Sequence, residues 1–404
     1  MIPRRVVIYC PDRHIVYDGH TPYRRGVGGG ISARVRMARA LARAGHQVTM
    51  VVNCPRRRRI DGVDYVPLDR ARRLEADVLI ANTSGGCMSL APLLDLDIEA
   101  ALRLVWIHGT IKPVGLEATG FDWLYAVSNF VASVAEREWG VSRNRMFVSY
   151  NAFEPDLFRA AERARPRRDP YRLVYFSHPS KGLETAIDVL CRLRAVDPRF
   201  HLLVFGGAQL WGEGETPIPV KEGVIWGELV GQARLVRELL QCGFALQLQA
   251  REEPGALALV EAMRAGCILI GSAVGCYPEM VRDGIDGFLL PGDHVTAAVR
   301  DRAADLILQL VEDRERAAAV RQSAQSIPWD TVTMARVWSQ HWDWWLVGRG
   351  RAADAPGLPV QDTCPSCGGV CLVLVDGYHC LSCGLHSRPQ SGPAIPSERT
   401  CAGS

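Results

Sequence analysis

Two carboxylates in one short stretch carry the strongest chemical signal in this chain. Glu253 and Glu261 stand eight residues apart in Arg251-Glu-Glu-Pro-Gly-Ala-Leu-Ala-Leu-Val-Glu-Ala-Met-Arg-Ala-Gly266. The residues before them, 244–249, read as an apolar strand. From near Ala256 the Ala/Leu/Met-rich run reads as a helix that stops at Gly266, because glycine readily takes the left-handed conformation that closes a helix. In an open α/β sheet the loop after a strand's carboxyl end is where ligands bind. The helix start offers unpaired N–H groups and partial positive charge, which suit a phosphate. Glu261, two turns down, can accept hydrogen bonds from a ribose diol, and Glu253 can hold sugar hydroxyls. The unit could therefore grip a sugar nucleotide at both ends of its diphosphate. An isolated pair of this kind is more often a surface feature of an ordinary strand–helix unit, so the neighbours decide.

Lys181 follows another strand, residues 172–177, in Ser177-His178-Pro179-Ser180-Lys181-Gly182, just before a helix. An ammonium is a common phosphate binder. A cation is unfavourable at the positive end of a helix, which weakens the alternative of a plain surface lysine. Gly28, Gly29 and Gly30 precede a helix running to Gly45. Three glycines let backbone approach a phosphate or sugar closely, although a flexible turn explains them equally well. His108 follows the strand 102–107 directly. A lone histidine there is more often a hydrogen-bonded structural residue.

Near the C-terminus, Cys364-Pro-Ser-Cys367 and Cys380-Leu-Ser-Cys383 form two Cys-x-x-Cys knuckles separated by twelve residues. Four thiolates at this spacing can close a tetrahedron around zinc, with the apolar residues 370–375 as a hairpin strand. Such a site is structural, because full sulfur ligation leaves no open position. Cys371, His379 and His386 are spare candidates, and a redox dithiol pair is the alternative. Residues 364–386 contain no Lys or Arg, which argues against a nucleic-acid surface. Docking of a protein partner or plain stapling fits better.

The chain has 404 residues, enough for two domains and a small appendage, with 48% hydrophobic and 23% charged residues as in soluble globular proteins. The net charge of +3 is uneven: residues 1–152 hold 21 Lys+Arg against 14 Asp+Glu, the rest 26 against 30. The basic half suits an anionic acceptor or peripheral contact with an acidic membrane, or is a solvated arginine face. Only Lys112, Lys181 and Lys221 are lysines. No apolar run is long enough to span a membrane, and the start is too short for a secretory signal. Thirteen cysteines without such a signal do not imply disulfides, so a cytoplasmic location is expected.

The elements that must position these residues alternate regularly. Strands are expected at 6–10, 47–52, 77–81, 102–107, 123–128 and 146–149, with the arginines at 56–59 in a solvated loop. After a charged linker at 160–170, a second series runs through 172–177, 201–206, 224–227, 244–248, 267–271 and 287–290. Strands alternating with helices predict parallel, doubly wound sheets. A last helix is expected from Ile327-Pro-Trp-Asp to about Val347, with Val332, Ala335, Trp338, Trp342 and Trp345 near one packing face.

The stretch around Glu253 and Glu261, with Ala262-Met-Arg-Ala-Gly-Cys-Ile-Leu-Ile-Gly-Ser and Gly275-Cys-Tyr-Pro-Glu-Met-Val-Arg-Asp-Gly-Ile-Asp-Gly-Phe-Leu, resembles the signature half of the retaining GT-B glycosyltransferases of the family 4 type. The resemblance spans about residues 1–347 and is looser in the first half. It implies an α/β fold of two Rossmann-like doubly wound domains facing a cleft, plus the small C-terminal zinc ribbon. It implies transfer of a sugar from a nucleotide-sugar donor to a hydroxyl acceptor, whether glycan, lipid-linked or small molecule, with no catalytic metal. A nucleotide-sugar epimerase or hydrolase is the alternative enzyme. A sugar-nucleotide sensor with a docking ribbon is the non-enzymatic one.

The resemblance places His108 beside the transferred sugar with Lys181 and Glu253 as the catalytic group. It assigns Gly29, Gly30, Ser177, Lys181, Trp226, Glu253, Gly255, Ala256, Leu257 and Glu261 to the donor. Ser128, Asn129 and Asn151 match further landmarks. Glu279 reads as a helix-start residue. The family usually carries an arginine five residues before the lysine; here Phe176 stands there, and Ser177, His178 or an arginine from elsewhere must compensate. The expected organisation is an acceptor-side domain at 1–152, a nucleotide-sugar domain at 153–328, and a helix at 329–347 crossing back. A linker at 348–362, the ribbon at 363–386 with Cys364, Cys367, Cys380 and Cys383 as ligands, and a disordered tail at 387–404 complete it.

Overall fold

The computed structural model describes residues 2–83, 88–214 and 220–348, with Cys364 and three short strands beyond them. The expected linker at 348–362 and tail at 387–404 lie outside the described residues but for Gly348, the last residue of a helix, and Ser387. The first unit has strands β1 Arg5–Tyr9, β2 Gln47–Val52, β3 Arg58–Ile60, β4 Val63–Pro67, β5 Arg73–Thr83, β6 Asp97–Ile107, β7 Trp123–Ala126 and β8 Met146–Val148. They form one sheet in the order β3-β4-β2-β1-β5-β6-β7-β8. The second unit has β9 Asp169–Tyr175, β10 His201–Val204, β11 Val224–Trp226, β12 Cys242–Gln247, β13 Ile268–Ser272 and β14 Phe288–Leu290, ordered β11-β10-β9-β12-β13-β14. Helices of two turns or more are α1 Gly29–Arg43, α2 Asn129–Trp139, α3 Pro155–Glu162, α4 Leu183–Val196, α5 Gln232–Leu239, α6 Leu257–Ala265, α7 Ala297–Glu312, α8 Arg314–Gln325 and α9 Thr331–Gly348.

The strand pairs of both sheets are parallel except β3–β4. Parallel strands buried on both faces read as continuous Val/Ile/Leu runs, which is why they were legible. The arginine run is a departure: Arg58 and Arg59 belong to edge strand β3, not to a loop. Asp61 and Gly62 both take positive φ, 50° and 83°, and turn β3 back onto β4. Asp-Gly between two short strands is the sequence signal for such a hairpin. Charged residues on an edge strand also discourage further pairing. β5 and β6 are longer than expected, and their exposed early halves are tied by Arg73 to Glu99 at 2.6 Å.

The last helix, α9, starts at Thr331, later than expected, because Asp330 caps it by accepting from Val332 and Thr333 N–H at 2.9 Å each. It packs on α1 and β6 of the first unit. Trp338 and Trp342 are fully buried, and Trp338 meets Trp106 edge-on at 4.9 Å while donating to Ser149 Oγ at 2.8 Å. Burial of two indoles fixes the crossing, since removing one costs about 3–5 kcal/mol. Val332 departs from the expected face and is exposed, 58% accessible. Both chain crossings lie side by side: Phe153 N donates to Trp329 O at 3.0 Å, and Thr331 N to Phe153 O at 2.9 Å.

Beyond α9, β15 Cys371–Leu374, β16 Gly377–Cys380 and β17 His386–Ser387 form an antiparallel sheet. It is seated on the first unit, where His379 lies 3.2 Å from Val148 O and stacks on Phe147 at the β8 edge. Among the described residues no helix is long and apolar enough to cross a membrane.

Candidate functional site

The carboxyl ends of both parallel sheets face one cleft of about 500 Å3. Its second-unit wall is the turn of residues 251–258 leading into α6. The first turn of α6 has no intrahelical partners for its N–H groups, and Gly266 closes the helix at φ 78°, as expected from sequence. Two carbonyls of the turn are bound by the first unit: Ser128 Oγ donates to Pro254 O at 2.5 Å and Asn151 Nδ2 to Gly255 O at 2.8 Å. In a planar trans peptide the N–H then points the other way. Gly255 permits this approach, since a Cβ there would lie 2.6 Å from Val127.

Lys181 and Glu253 form an ion pair, Nζ to Oε2 at 2.5 Å, with side chains 16% and 12% exposed. The lysine loop is pressed against the end of β12. At Gly182, φ is +90° and a Cβ would stand 1.8 Å from Leu248 O, so only glycine serves. Across the cleft Gly28 caps α1, and Gly29 faces Leu257, its Cβ position 3.7 Å away. Gly29 and Gly30 are the first residues of α1 and not a loop before it, so the N-terminus of α1 and the start of α6 oppose each other.

His108 lines the same cleft, tilted on Trp106, with Nδ1 2.9 Å from Asn82 Nδ2. Burial, reinforced by the Arg34 guanidinium, pulls its pKa down to about 3, so the imidazole is neutral at physiological pH. Ser177, Gly30, Ala256, Leu257 and Glu261 also line the cleft. Trp226 does not. It packs against the aliphatic cluster of the second unit, and Leu229 and Val230 from its loop reach the cleft instead.

Three contributors escaped the sequence reading. Glu261 is buried, and its Oε1 accepts from Arg36 of α1, which also reaches Gln232. Arg36 crosses from the other unit, and nothing local in the sequence pairs them. Arg251 lines the cleft with its guanidinium 4.8 Å over the Trp211 ring. The same indole stacks on His178 at 3.7 Å and lies 5.7 Å from the Lys181 ammonium. Glu279 lies in the first turn of the short helix Tyr277–Met280, as expected, and its carboxylate also caps a helix of the first unit. It accepts from Asn129 N at 2.8 Å, Phe130 N at 2.9 Å and Tyr150 Oη at 2.7 Å. A carboxylate at a helix N-terminus satisfies orphan donors and opposes the helix dipole.

Among the described residues no group of three or more His, Cys, Asp or Glu is placed to hold a metal ion. Of the four predicted thiolate ligands, Cys364 and Cys380 are buried, and Cys367 and Cys383 lie outside the described residues.

Residues 173–327 match the family model described as Glycosyl transferases group 1. The curated D-inositol 3-phosphate glycosyltransferase of Streptomyces griseus subsp. griseus is 38% identical over 108 residues, 26% of this chain and 22% of that protein. The chain thus spans about a fifth of the length of that relative. AviGT4, a glycosyltransferase involved in avilamycin A biosynthesis, superposes with a TM-score of 0.60 at 18% identity, over 85% of this chain and 98% of that one. Anabaena Alr3699/HepE in complex with UDP-glucose gives 0.58 at 16%, over 83% and 98%. At these identities the likeness is one of fold, and the fold is the expected GT-B arrangement of two parallel-sheet units.

Removing the Glu279 carboxylate strands two N–H groups and a hydroxyl at the interface between the units. Glu279→Ala is expected to lower the unfolding free energy by about 2 kcal/mol, with Glu279→Gln recovering part of it. Urea unfolding followed by tryptophan fluorescence measures both.

Proposed function

We propose that this chain is a retaining, nucleotide-sugar-dependent glycosyltransferase of the GT-B group 1 type. The observation that carries the reading is the Lys181–Glu253 pair in the loops before α4 and α6, in the same cleft as the glycines that start α1. It sets a cation for a diphosphate and an acceptor for sugar hydroxyls within one hydrogen bond of each other. The family match over residues 173–327 supports the same assignment.

The donor diphosphate lies at the first turn of α6, against Lys181 and the backbone of Gly29 and Gly30. Glu261 holds the ribose diol through the carboxylate oxygen that Arg36 leaves to it. Glu253 holds hydroxyls of the transferred sugar. Arg251 is the second cation, standing in for the arginine that Phe176 displaces. The bond from the anomeric carbon to the phosphate oxygen breaks with its electron pair going to the diphosphate. Lys181, Arg251 and the helix dipole stabilise that growing charge as positive groups fixed beside it. The acceptor hydroxyl attacks from the same face, and its proton passes to the departing phosphate oxygen. His108 lines this face as a neutral hydrogen-bonding group.

Activity is assayed with a panel of nucleotide sugars, with product analysis for transfer to a hydroxyl rather than to water. Lys181→Ala and Glu261→Ala should each lower kcat/KM about 100-fold, or ~2.7 kcal/mol in the transition state, and Arg251→Ala about tenfold. Full activity in both Lys181→Ala and Glu261→Ala would remove the site assignment.

The C-terminal cysteines complete the proposal as a zinc ribbon, with Cys364, Cys367, Cys380 and Cys383 as thiolate ligands. The buried position of Cys364 and Cys380 suits a structural site. Zinc there would supply folding energy to the hairpin. Its seat on the β8 edge favours stapling over capture of a protein partner. The purified chain should carry one zinc per molecule, released by thiol modification; a fully reduced chain without metal contradicts the ribbon.

A further inference from the structure

A second pocket, about 700 Å3, lies on the far side of the second unit. It is formed where β9 begins and where α7 passes into α8. The seven-residue strand β9 separates it from the cleft, a span of about 20 Å. The charged linker expected at 160–170 supplies Arg167 and Arg168 to it, so that segment is part of a concave surface and not only a tether. Arg199, Arg314 and Arg321 complete five guanidinium groups around it.

Few of these charges are matched. Arg168 donates to Cys242 O and, at 2.6 Å, to Ala265 O, both neutral acceptors. Arg199 is paired with Asp197 at 2.6 Å. Arg167 and Arg314 have no carboxylate partner among the described residues. Arg321 Nε is buried with no hydrogen-bond partner. Burial and the neighbouring Arg168 both hold the Arg321 guanidinium below its ordinary pKa, the sign of an uncompensated cation. Asp169, the one acidic lining residue among those described, accepts from Tyr171 N at 2.9 Å and lies 3.9 Å from His201 Nε2. On α8, Arg314 and Arg321 fall seven residues apart on one face, with Ala317 between them leaving room.

We propose that this pocket is an anion site, separate from the cleft, that takes a phosphoryl group in the fork of Arg314 and Arg321. Guanidinium groups recognise phosphate through paired N–H donors, and Arg321 lines the pocket with no carboxylate partner among the described residues. The same chemistry is offered by a free diphosphate and by a phospholipid headgroup.

The test uses the full chain carrying Lys181→Ala and Arg251→Ala, which removes the cations of the cleft. Pyrophosphate titrated by calorimetry should still bind. Arg321→Met added to this background should weaken binding at least tenfold, and Arg314→Ser, at an exposed helix position, several-fold with the circular dichroism spectrum unchanged. Phosphatidylcholine vesicles containing phosphatidic acid separate the sources. Co-sedimentation lost in the same variants assigns the site to a lipid headgroup, and pyrophosphate binding without co-sedimentation assigns it to a soluble phosphate. Absence of residual pyrophosphate binding, or affinity unchanged by both substitutions, overturns the proposal.

Discussion

The cleft depends on a turn, residues 253–256, that one unit contributes and the other unit holds. Its carbonyls at Pro254 and Gly255 are taken by Ser128 and Asn151, and Glu253 O accepts from Cys276 N at 2.9 Å. These bonds orient three successive peptide planes before any ligand arrives. Orientation fixed in advance is what lets N–H dipoles act on developing charge without a reorganisation cost. The two-unit fold follows from the same requirement. A turn clamped from outside its own sheet needs a second sheet beside it, and α9 with its buried indoles keeps that sheet in place.

Charge at the interface obeys a similar logic. Arg36 and Glu261 are both nearly inaccessible, and a buried ion pair is weak evidence for stability because desolvation offsets much of the attraction. Breaking one side of such a pair is costly, however, at about 3–5 kcal/mol. The pair therefore makes sense as a device that ties α1 to α6 and holds one carboxylate oxygen still. Glu279 acts in the opposite direction, from the second unit onto α2 of the first. The two contacts tie the docking of the units to the geometry of the cleft.

Much of this was legible because its signals are local. The apolar strand runs, the Gly266 stop and the Glu253–Glu261 spacing each lie within a few residues of chain, and short-range periodicity reports them. The Asp61-Gly62 turn is equally local, although the four arginines before it favour a solvated loop over the edge strand that Arg58 and Arg59 form. Arg36, Arg251 and Glu279 were not legible in this way. Arg36 meets Glu261 from 225 residues away, and Glu279 meets Asn129 from 150. The partners of Arg36 and Glu279 are fixed by how two sheets dock, and Arg251 meets Trp211 across two loops of one sheet, neither of which a window of sequence encodes. Trp226 shows the converse: proximity in sequence to the cleft loop did not bring its side chain there, because the second unit's core claimed it.

The most direct measurement is a structure of the chain with a nucleoside diphosphate bound. The account predicts the diphosphate at the first turn of α6, within hydrogen-bond reach of Lys181 and Arg251, and the ribose diol on Glu261. A ligand ordered elsewhere, or with its phosphates directed away from that turn, would contradict it.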